Sequence, residues 1–500
     1  MSRNRIPLFC LTALVALAST GLLNAQTVTM SALNIDRDGA EYAKVLGAGG
    51  SGAYVQLSNL PIDNERARTG LRMRKNEIAY FDSKLEVKWK QAQMAKPSAG
   101  DPDQLFVFRN HLISVTRIIS KPESEIRLYI QAFDSSGKEL LAERLAYAGS
   151  YQRGSSIGAT RSLLSPDKNG VALVIIERNG ESAWSHQVNL DSLLRPVDQA
   201  KLAFKTTSPE SRFPESGLLD DGRTYFIEQA PLDEPARRDE PFLSFTLHLQ
   251  QTGSPAFKRI PLNGSDRPMR EIGMTFDKAN QKIILTGFHV DKTSFSGVGL
   301  LYCTTGISDS STSSILSAPI DAEAHRKLIG RRNTGGGLGI EEYPIQRIIA
   351  RSDGGAVIIA EAIYLSEYSF YDYFTQTYNR RIEYHFDNLI LLSVDAAGNT
   401  DWLHVIEKDQ RSMDDAGMYS SFIPYVMPEE LVIAFGNGTG KTDNLNLLRY
   451  NPDGNAMSLR ARTGGEQLSI LPRFGKQVDG GTLIMPVVSR KRLFLAKLSF

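Results

Sequence analysis

The chain has 500 residues, with 57 basic and 56 acidic side chains and 41% hydrophobic residues. That is enough apolar material for a sizeable core, and it excludes wholesale disorder, collagen, coiled coil and a disulfide scaffold. Balanced charge excludes a general nucleic-acid binder, which needs a basic surface to displace counterions.

The first segment reads as an export signal. Arg3 and Arg5 precede the apolar stretch Ile6 to Leu23, and Leu23-Asn24-Ala25 is a cleavage site with a small residue at its end. The signal is assigned to residues 1–25, with cleavage after Ala25 and a periplasmic or secreted product. The alternative is a membrane anchor of about 18 residues, at the lower limit for spanning. Removal leaves 55 basic and 56 acidic residues, a net charge of about −1, and no transmembrane segment in the mature chain. Cys10 lies inside the signal, so Cys303 is then the sole cysteine and no intramolecular disulfide can form. Its setting, Gly299-Leu300-Leu301-Tyr302-Cys303, is that of a buried strand residue.

Residues 26–70 read as an N-terminal extension. Within it, Asn34-Ile-Asp36-Arg-Asp38-Gly39 resembles the start of a calcium loop, but Val45 stands where a bidentate Glu belongs. A solvated turn is the preferred reading; calcium stays open, and no other cofactor is expected.

From residue 71 a weak repeat runs to residue 500. Leu128-Tyr-Ile-Gln-Ala-Phe133 leads to Asp134-Ser-Ser-Gly137, Leu389-Ile-Leu-Leu-Ser-Val394 to Asp395-Ala-Ala-Gly398 with Trp402 beyond, and Leu447-Leu-Arg-Tyr450 to Asn451-Pro-Asp-Gly454. Each is a strand, an Asp or Asn, a turn and a second strand. A second marker, a turn before a short apolar strand, falls at positions 110, 167, 221, 277, 353, 429 and 479. The spacings are 57, 54, 56, 76, 76 and 50 residues. With about four strands per unit, this predicts an all-β fold: a β-propeller of seven blades, with a set of β-sandwich domains as the alternative. The terminal strand Leu493–Phe500 needs a partner. An N-terminal strand such as Leu85–Trp89 would close the ring and remove two exposed edges. The two long spacings place insertions near 306–345, with a short helix at Ala322–Ile329, and near 364–386.

Several apparent catalytic motifs fail on context. Gly154-Ser155-Ser156-Ile157-Gly158 matches a nucleophile elbow, but strand-like residues follow it where a helix is required. The glycine-rich runs at 436–440 and 335–339 lack phosphate-loop or dinucleotide spacing. The histidines show no metal-ligand spacing. The acidic pairs Asp220-Asp221, Glu341-Glu342, Asp414-Asp415 and Glu429-Glu430 are adjacent residues. Neighbours on a strand point to opposite faces, so adjacency alone makes no acid/base pair.

The segment from Tyr364 to Tyr384 holds six tyrosines and two phenylalanines in 21 residues. It reads as an extended hairpin projecting from one blade. Aromatic rings with polar tips suit sugar stacking and protein contacts, though the rings could also fold back and pack on the blade. The candidate binding residues are Tyr364, Tyr368, Tyr371, Asp372, Tyr373 and Tyr378, with Asp414, Asp415 and Tyr419 from the polar loop downstream.

The stretch from Asp353 to about Phe435 resembles uncharacterised secreted β-propeller-like proteins of Gram-negative, Bacteroidetes-type bacteria. The resemblance is carried by Ala360-Glu361, the Tyr-rich hairpin, Asn388 to Leu392, Trp402, and Glu407 to Gln410 through Asp414-Asp415 to Tyr419–Phe422. It covers a sixth of the chain and implies fold and location, with no activity attached. The expected function is a monomeric, exported propeller that binds an envelope protein or a glycan. The alternatives are a glycan-active hydrolase or lyase with carboxylates on the channel face, and a purely structural envelope protein. Convergence of Glu341, Asp372, Asp414 and Tyr419 in one pocket would favour the enzyme.

Overall fold

The computed structural model describes residues 28–31, 42–58, 76–92, 104–232, 243–263, 269–290, 298–308, 314–319, 343–374, 376–436, 444–462, 469–489 and 492–500. The export signal, Asn34–Gly39, Ala322–Ile329, the 335–339 run and Glu341-Glu342 lie outside them. Among the described residues the fold is all-β, broken only by the single 3-10 turn Pro472–Phe474. No described helix is long and apolar enough to cross a membrane.

The strands form eight antiparallel sheets of four or five strands, numbered 1 to 8 here in chain order. Their strands fall within 42–92, 104–150, 156–205, 216–261, 273–319, 345–413, 423–462, and 469–499 together with Val28–Met30. Second strands such as Val171–Asn179 and Leu431–Phe435 are buried along almost their whole length, whereas the fourth strand Pro196–Lys205 is mostly exposed. That gradient follows from face-to-face stacking. Inner strands have both faces covered by neighbouring sheets and carry unbroken Val, Ile and Leu; edge strands meet water and carry charge.

Each sheet shares an apolar core with the next. Leu112 and Phe133 of sheet 2 meet Tyr54 and Tyr80 of sheet 1, and Ile390 and Leu392 of sheet 6 meet Leu300 and Tyr302 of sheet 5. Sheet 8 returns to sheet 1, where Ile484, Leu493 and Leu495 pack on Val55, Leu57 and Phe81. This cyclic stacking is β-propeller-like.

The turn markers sit where the first strand of a sheet meets the second, in sheets 2 to 8. Sheet 1 turns at Gly50-Ser51 without an Asp-Gly signature, which is why seven markers accompany eight sheets. Sheet 1 also pairs Gly52–Ser58 with Asn76–Phe81, so it takes in residues on both sides of position 70. The strand anticipated as the partner of the C-terminus, Leu85–Trp89, lies elsewhere: Val87–Ala92 is the outer strand of sheet 1, and Leu85 occupies a turn at φ 60°. Arg492–Ser499 is instead paired by Val28–Met30 (Val28↔Leu498, Met30↔Ala496), and the Ser31 N–H donates to the Leu495 carbonyl at 2.9 Å.

The strand-Asp-turn-strand repeat joins third strands to fourth. The Oδ1 atoms of Asp82, Asp134, Asp191 and Asp395 each accept the N–H groups two and four residues on, at 2.8 to 3.0 Å. Trp89 and Trp402, on fourth strands, donate their indole N–H to Ser135 (2.7 Å) and Pro452 (3.0 Å) in the corresponding turn of the following sheet. The turn glycines Gly137 and Gly454 have φ of 81° and 83°, and a Cβ on either would press into the indole.

Candidate functional site

Antiparallel pairing sets first-strand starts on the side of each sheet away from the turn that joins first strand to second, as in Ile345↔Ala360 and Gly273↔Thr286. Three groups of chemically capable side chains collect at this end of the stack.

The first is the aromatic hairpin. Ala356–Asp372 and Thr377–Val394 stay paired from Ala356↔Val394 to Asp372↔Thr377, whereas the fourth strand accompanies them only along 389–394. The portion beyond Glu361 therefore projects by about 30 Å at the usual rise per residue. Its base is packed: Tyr364 stacks on His385 at 4.4 Å and donates to Asp387 Oδ2 at 2.9 Å. Its tip is not, since Tyr373, Phe374 and Tyr378 are 83%, 101% and 79% exposed. Tyr371 meets both Tyr373 and Tyr378 edge-on at 5.1 Å. The rings do not fold back onto the sheet.

The downstream loop lies against this hairpin. Gln410–Met413 adds a strand along 383–386, and Asp414 exchanges backbone and side-chain bonds with Ile382. Asp414, Asp415 and Asp372 cap turns, with Asp415 accepting from Gly417 N–H and Asp372 from Phe374 N–H, both at 2.8 Å. Tyr419 packs with Met418, Leu471 and Phe474. Asp372 and Asp414 are about five residue pairs apart along the hairpin, roughly 17 Å. They do not converge.

The second group is a set of buried glutamates near second-strand ends that tie down the loops entering sheets 3, 4 and 7. Glu177 accepts from Gln152 N–H (2.6 Å), Ser155 Oγ (2.8 Å) and His186 Nε2 (2.8 Å), and pairs with Lys201 at 2.8 Å. His186 Nδ1 is 2.7 Å from the Tyr147 hydroxyl. Glu228 repeats the arrangement with His248 (2.7 Å), Ser211 (2.7 Å) and Thr207 N–H. Burial depresses both histidines. For the two glutamates burial pushes upward, but the donors around each outweigh it and hold the carboxylate below its ordinary range. Glu361 is held by Ser421 and by the buried Lys408; loss of solvation raises this glutamate and lowers the lysine. Ser155, one residue before the serine position of the nucleophile-elbow look-alike, is thus a loop anchor, and Ser156 itself lies on the short strand Ser156–Ile157.

The third group stands at or just before first-strand starts. Glu215 precedes Ser216–Leu218 and Glu271 precedes Gly273–Asp277. Burial, then the charge of Glu215, pushes Glu271 up to about 7 against the opposing bond it accepts from Ile345 N–H. Glu215 keeps solvent access, yet the protein around its carboxyl strips enough water to raise it, and Arg161 partly offsets this. Arg161 also holds the loop carrying Glu215, donating to the Phe213 carbonyl and to Ser216. Lys44, Arg347 and Lys476 come from the first strands of sheets 1, 6 and 8. Lys476 donates to the Leu46 carbonyl at 2.9 Å. Lys476 is exposed as a residue, yet the protein around its ammonium strips enough water to depress it, and the charges of Lys44 and Arg347 add to this.

Glu215 and Glu271 are not among the acids the sequence singles out, which are the adjacent pairs and Asp372. The usable signal is positional: a single Glu one or two residues ahead of a first strand. The adjacent pairs serve structure. Asp220 accepts from Asp167 N–H at 2.8 Å, Asp221 grips Arg223, and Glu430 grips Arg449. Among the described residues no group of three or more His, Cys, Asp or Glu could hold a metal ion.

No family model and no curated protein sequence matches the chain. Among solved structures, the polysaccharide lyase Uly1 is similar at a TM-score of 0.39 and 8% identity, over 95% of this chain and 99% of that one. An α-L-arabinofuranosidase of Fusarium graminearum in complex with arabinobiose aligns at 0.31 and 9%, over 60% and 98%. Prolyl oligopeptidase B from Galerina marginata aligns at 0.39 and 7%, over 90% and 56%.

Proposed function

We propose that the eight sheets are the blades of an eight-bladed β-propeller closed by Val28–Met30, exported like the proteins its 353–435 stretch resembles, and that its first-strand end hydrolyses a glycan. The observation that carries this reading is the pair Glu215 and Glu271. Cleaving a glycosidic bond requires one carboxyl that still holds a proton near neutrality and a second that acts as base or nucleophile. Glu271, raised to about 7, meets the first requirement. Glu215, open to solvent and with Arg161 offsetting part of the rise that lost hydration causes, is the candidate for the second. In the step itself the Glu271 proton passes to the departing glycosidic oxygen, and Glu215 takes a proton from the water that adds to the anomeric carbon. The exposed tyrosines project from the same end and offer stacking faces for a polymer.

Product release from a panel of glycans tests this. Glu271→Gln and Glu215→Gln should each lower kcat/KM by about 10²- to 10⁴-fold with unfolding midpoints no lower than the parent's. Undiminished turnover in either variant, or no turnover of any glycan by the parent, contradicts it. The exposed hairpin tip favours a second reading, a glycan- or protein-binding module. That reading predicts ligand capture lost with the tip and no turnover.

A further inference from the structure

Glu361 differs from Glu177 and Glu228 in what faces it. Those two each meet a histidine. Glu361 meets the ammonium of Lys408, and Lys408 in turn meets a carboxamide. The Lys408 Nζ atom lies 2.8 Å from Gln410 Oε1 and 3.0 Å from the Phe386 carbonyl. Glu361 is 0% exposed, Gln410 1%, and the Lys408 side chain 3%. The Gln410 carboxamide is fixed at both ends. Its Oε1 also accepts from Ser421 N–H at 2.7 Å, and its Nε2 donates to the Gly436 carbonyl at 2.6 Å. Donors at one end and a carbonyl at the other identify which atom is the oxygen. Carbonyl carbon and oxygen are about 1.2 Å apart, which places Gln410 Cδ within about 4 Å of Nζ. An amine, a carboxamide and a carboxyl are thus enclosed together, away from water.

We infer that Lys408 and Gln410 join in an intramolecular isopeptide bond, with Glu361 carrying the protons of the step. The Lys408 ammonium first passes a proton to Glu361. The freed amine attacks Gln410 Cδ, and the Nζ–Cδ bond forms as the Cδ–Nε2 bond breaks. Glu361 gives its proton to Nε2 and takes one from Nζ. Nε2 leaves as ammonia, which carries that last proton away as ammonium, and Nζ keeps one hydrogen in the new amide. No oxidant or further reactant takes part. Loss of solvation lowers the ammonium and raises the carboxyl, which favours the first transfer. The Ser421 N–H already on Oε1 stabilises the charge that develops there. Enclosure of all three groups replaces a chance encounter. The bond removes a buried ammonium, whose desolvation is costly. It also ties the loop between Thr400–Ile406 and Gln410–Met413, the strand that backs the hairpin base. It stands independently of any glycan chemistry.

Tryptic peptide mapping of the full chain by mass spectrometry, after folding and then denaturation, tests it. Trypsin should fail to cut after Lys408, leaving residues 382–411 as one peptide, lighter than its sequence by one ammonia. Fragment ions should report breaks along it but none between 408 and 410, which separates the bond from ammonia lost at Asn388 or Asn399. Gln410→Met should restore cleavage after Lys408 and the full mass. Glu361→Gln should do the same while still melting cooperatively. A parent peptide that ends at Lys408 with its full mass overturns the inference, and this measurement needs no variant to fold. A peptide lighter by one water, or a branch from Lys408 to the peptide carrying Glu361, overturns the choice of Gln410 as acceptor. The same ammonia loss in folded Glu361→Gln overturns the role of Glu361.

Discussion

At the scale of single residues, burial decides which groups can do chemistry. Glu271 has a folded pKa near 7 against an ordinary 4.5, so the native state holds its proton where the unfolded chain has released it. Its ionisation cost is absent below about pH 4.5 and complete above about pH 7, so native stability falls as pH rises through that window. Glu271→Gln should abolish this fall. Melting curves of parent and variant should coincide near pH 4.5 and separate in the variant's favour by pH 8; parallel curves would contradict the assignment. Cys303 illustrates the inert outcome. It is fully buried, and loss of solvation pushes its thiol up to about 12. A thiol reagent should label it only at the rate of global unfolding; rapid labelling of the native protein would show the sheet 5 core to be open.

At the scale of elements, legibility tracked locality. The Asp turns lie within five residues of chain and could be read directly, because one carboxylate satisfies two N–H groups of its own turn. Asp395→Ala should lower the midpoint of a denaturant titration, and Asp395→Asn should lower it less. The hairpin was legible from its tyrosines, yet whether they pack or project depends on which neighbours reach them. Tyr364 meets His385, while Tyr373 and Phe374 meet almost nothing. Alanine at Tyr373, Phe374 or Tyr378 should alter stability by less than about 0.5 kcal/mol, and at Tyr364 by more than about 1 kcal/mol. The glutamates at first-strand starts left no periodic trace. Their partners come from other sheets, as Ile345 does for Glu271, 74 positions away.

At the scale of the whole molecule, cyclic packing explains how a chain whose described cysteine, Cys303, is free and buried is held by its core. Each sheet covers its neighbour's apolar face, and Val28–Met30 covers the edge that Arg492–Ser499 would otherwise expose. The sequence called for such a closing strand but pointed to the wrong one, because Val28–Met30 is too short to show a period of its own. A chain beginning at Tyr42 should melt at lower temperature and self-associate with rising concentration, read by light scattering. An unchanged midpoint would make the strand dispensable. The proposed glycan chemistry requires Glu215 and Glu271 to act on one bond. The most direct test is a crystal structure of Glu271→Gln soaked with the oligosaccharide that the parent cleaves. A sugar should lie at the first-strand end, its glycosidic oxygen within hydrogen-bond reach of residue 271 and its anomeric carbon facing Glu215. A sugar held only on the tyrosines of the hairpin tip would contradict it.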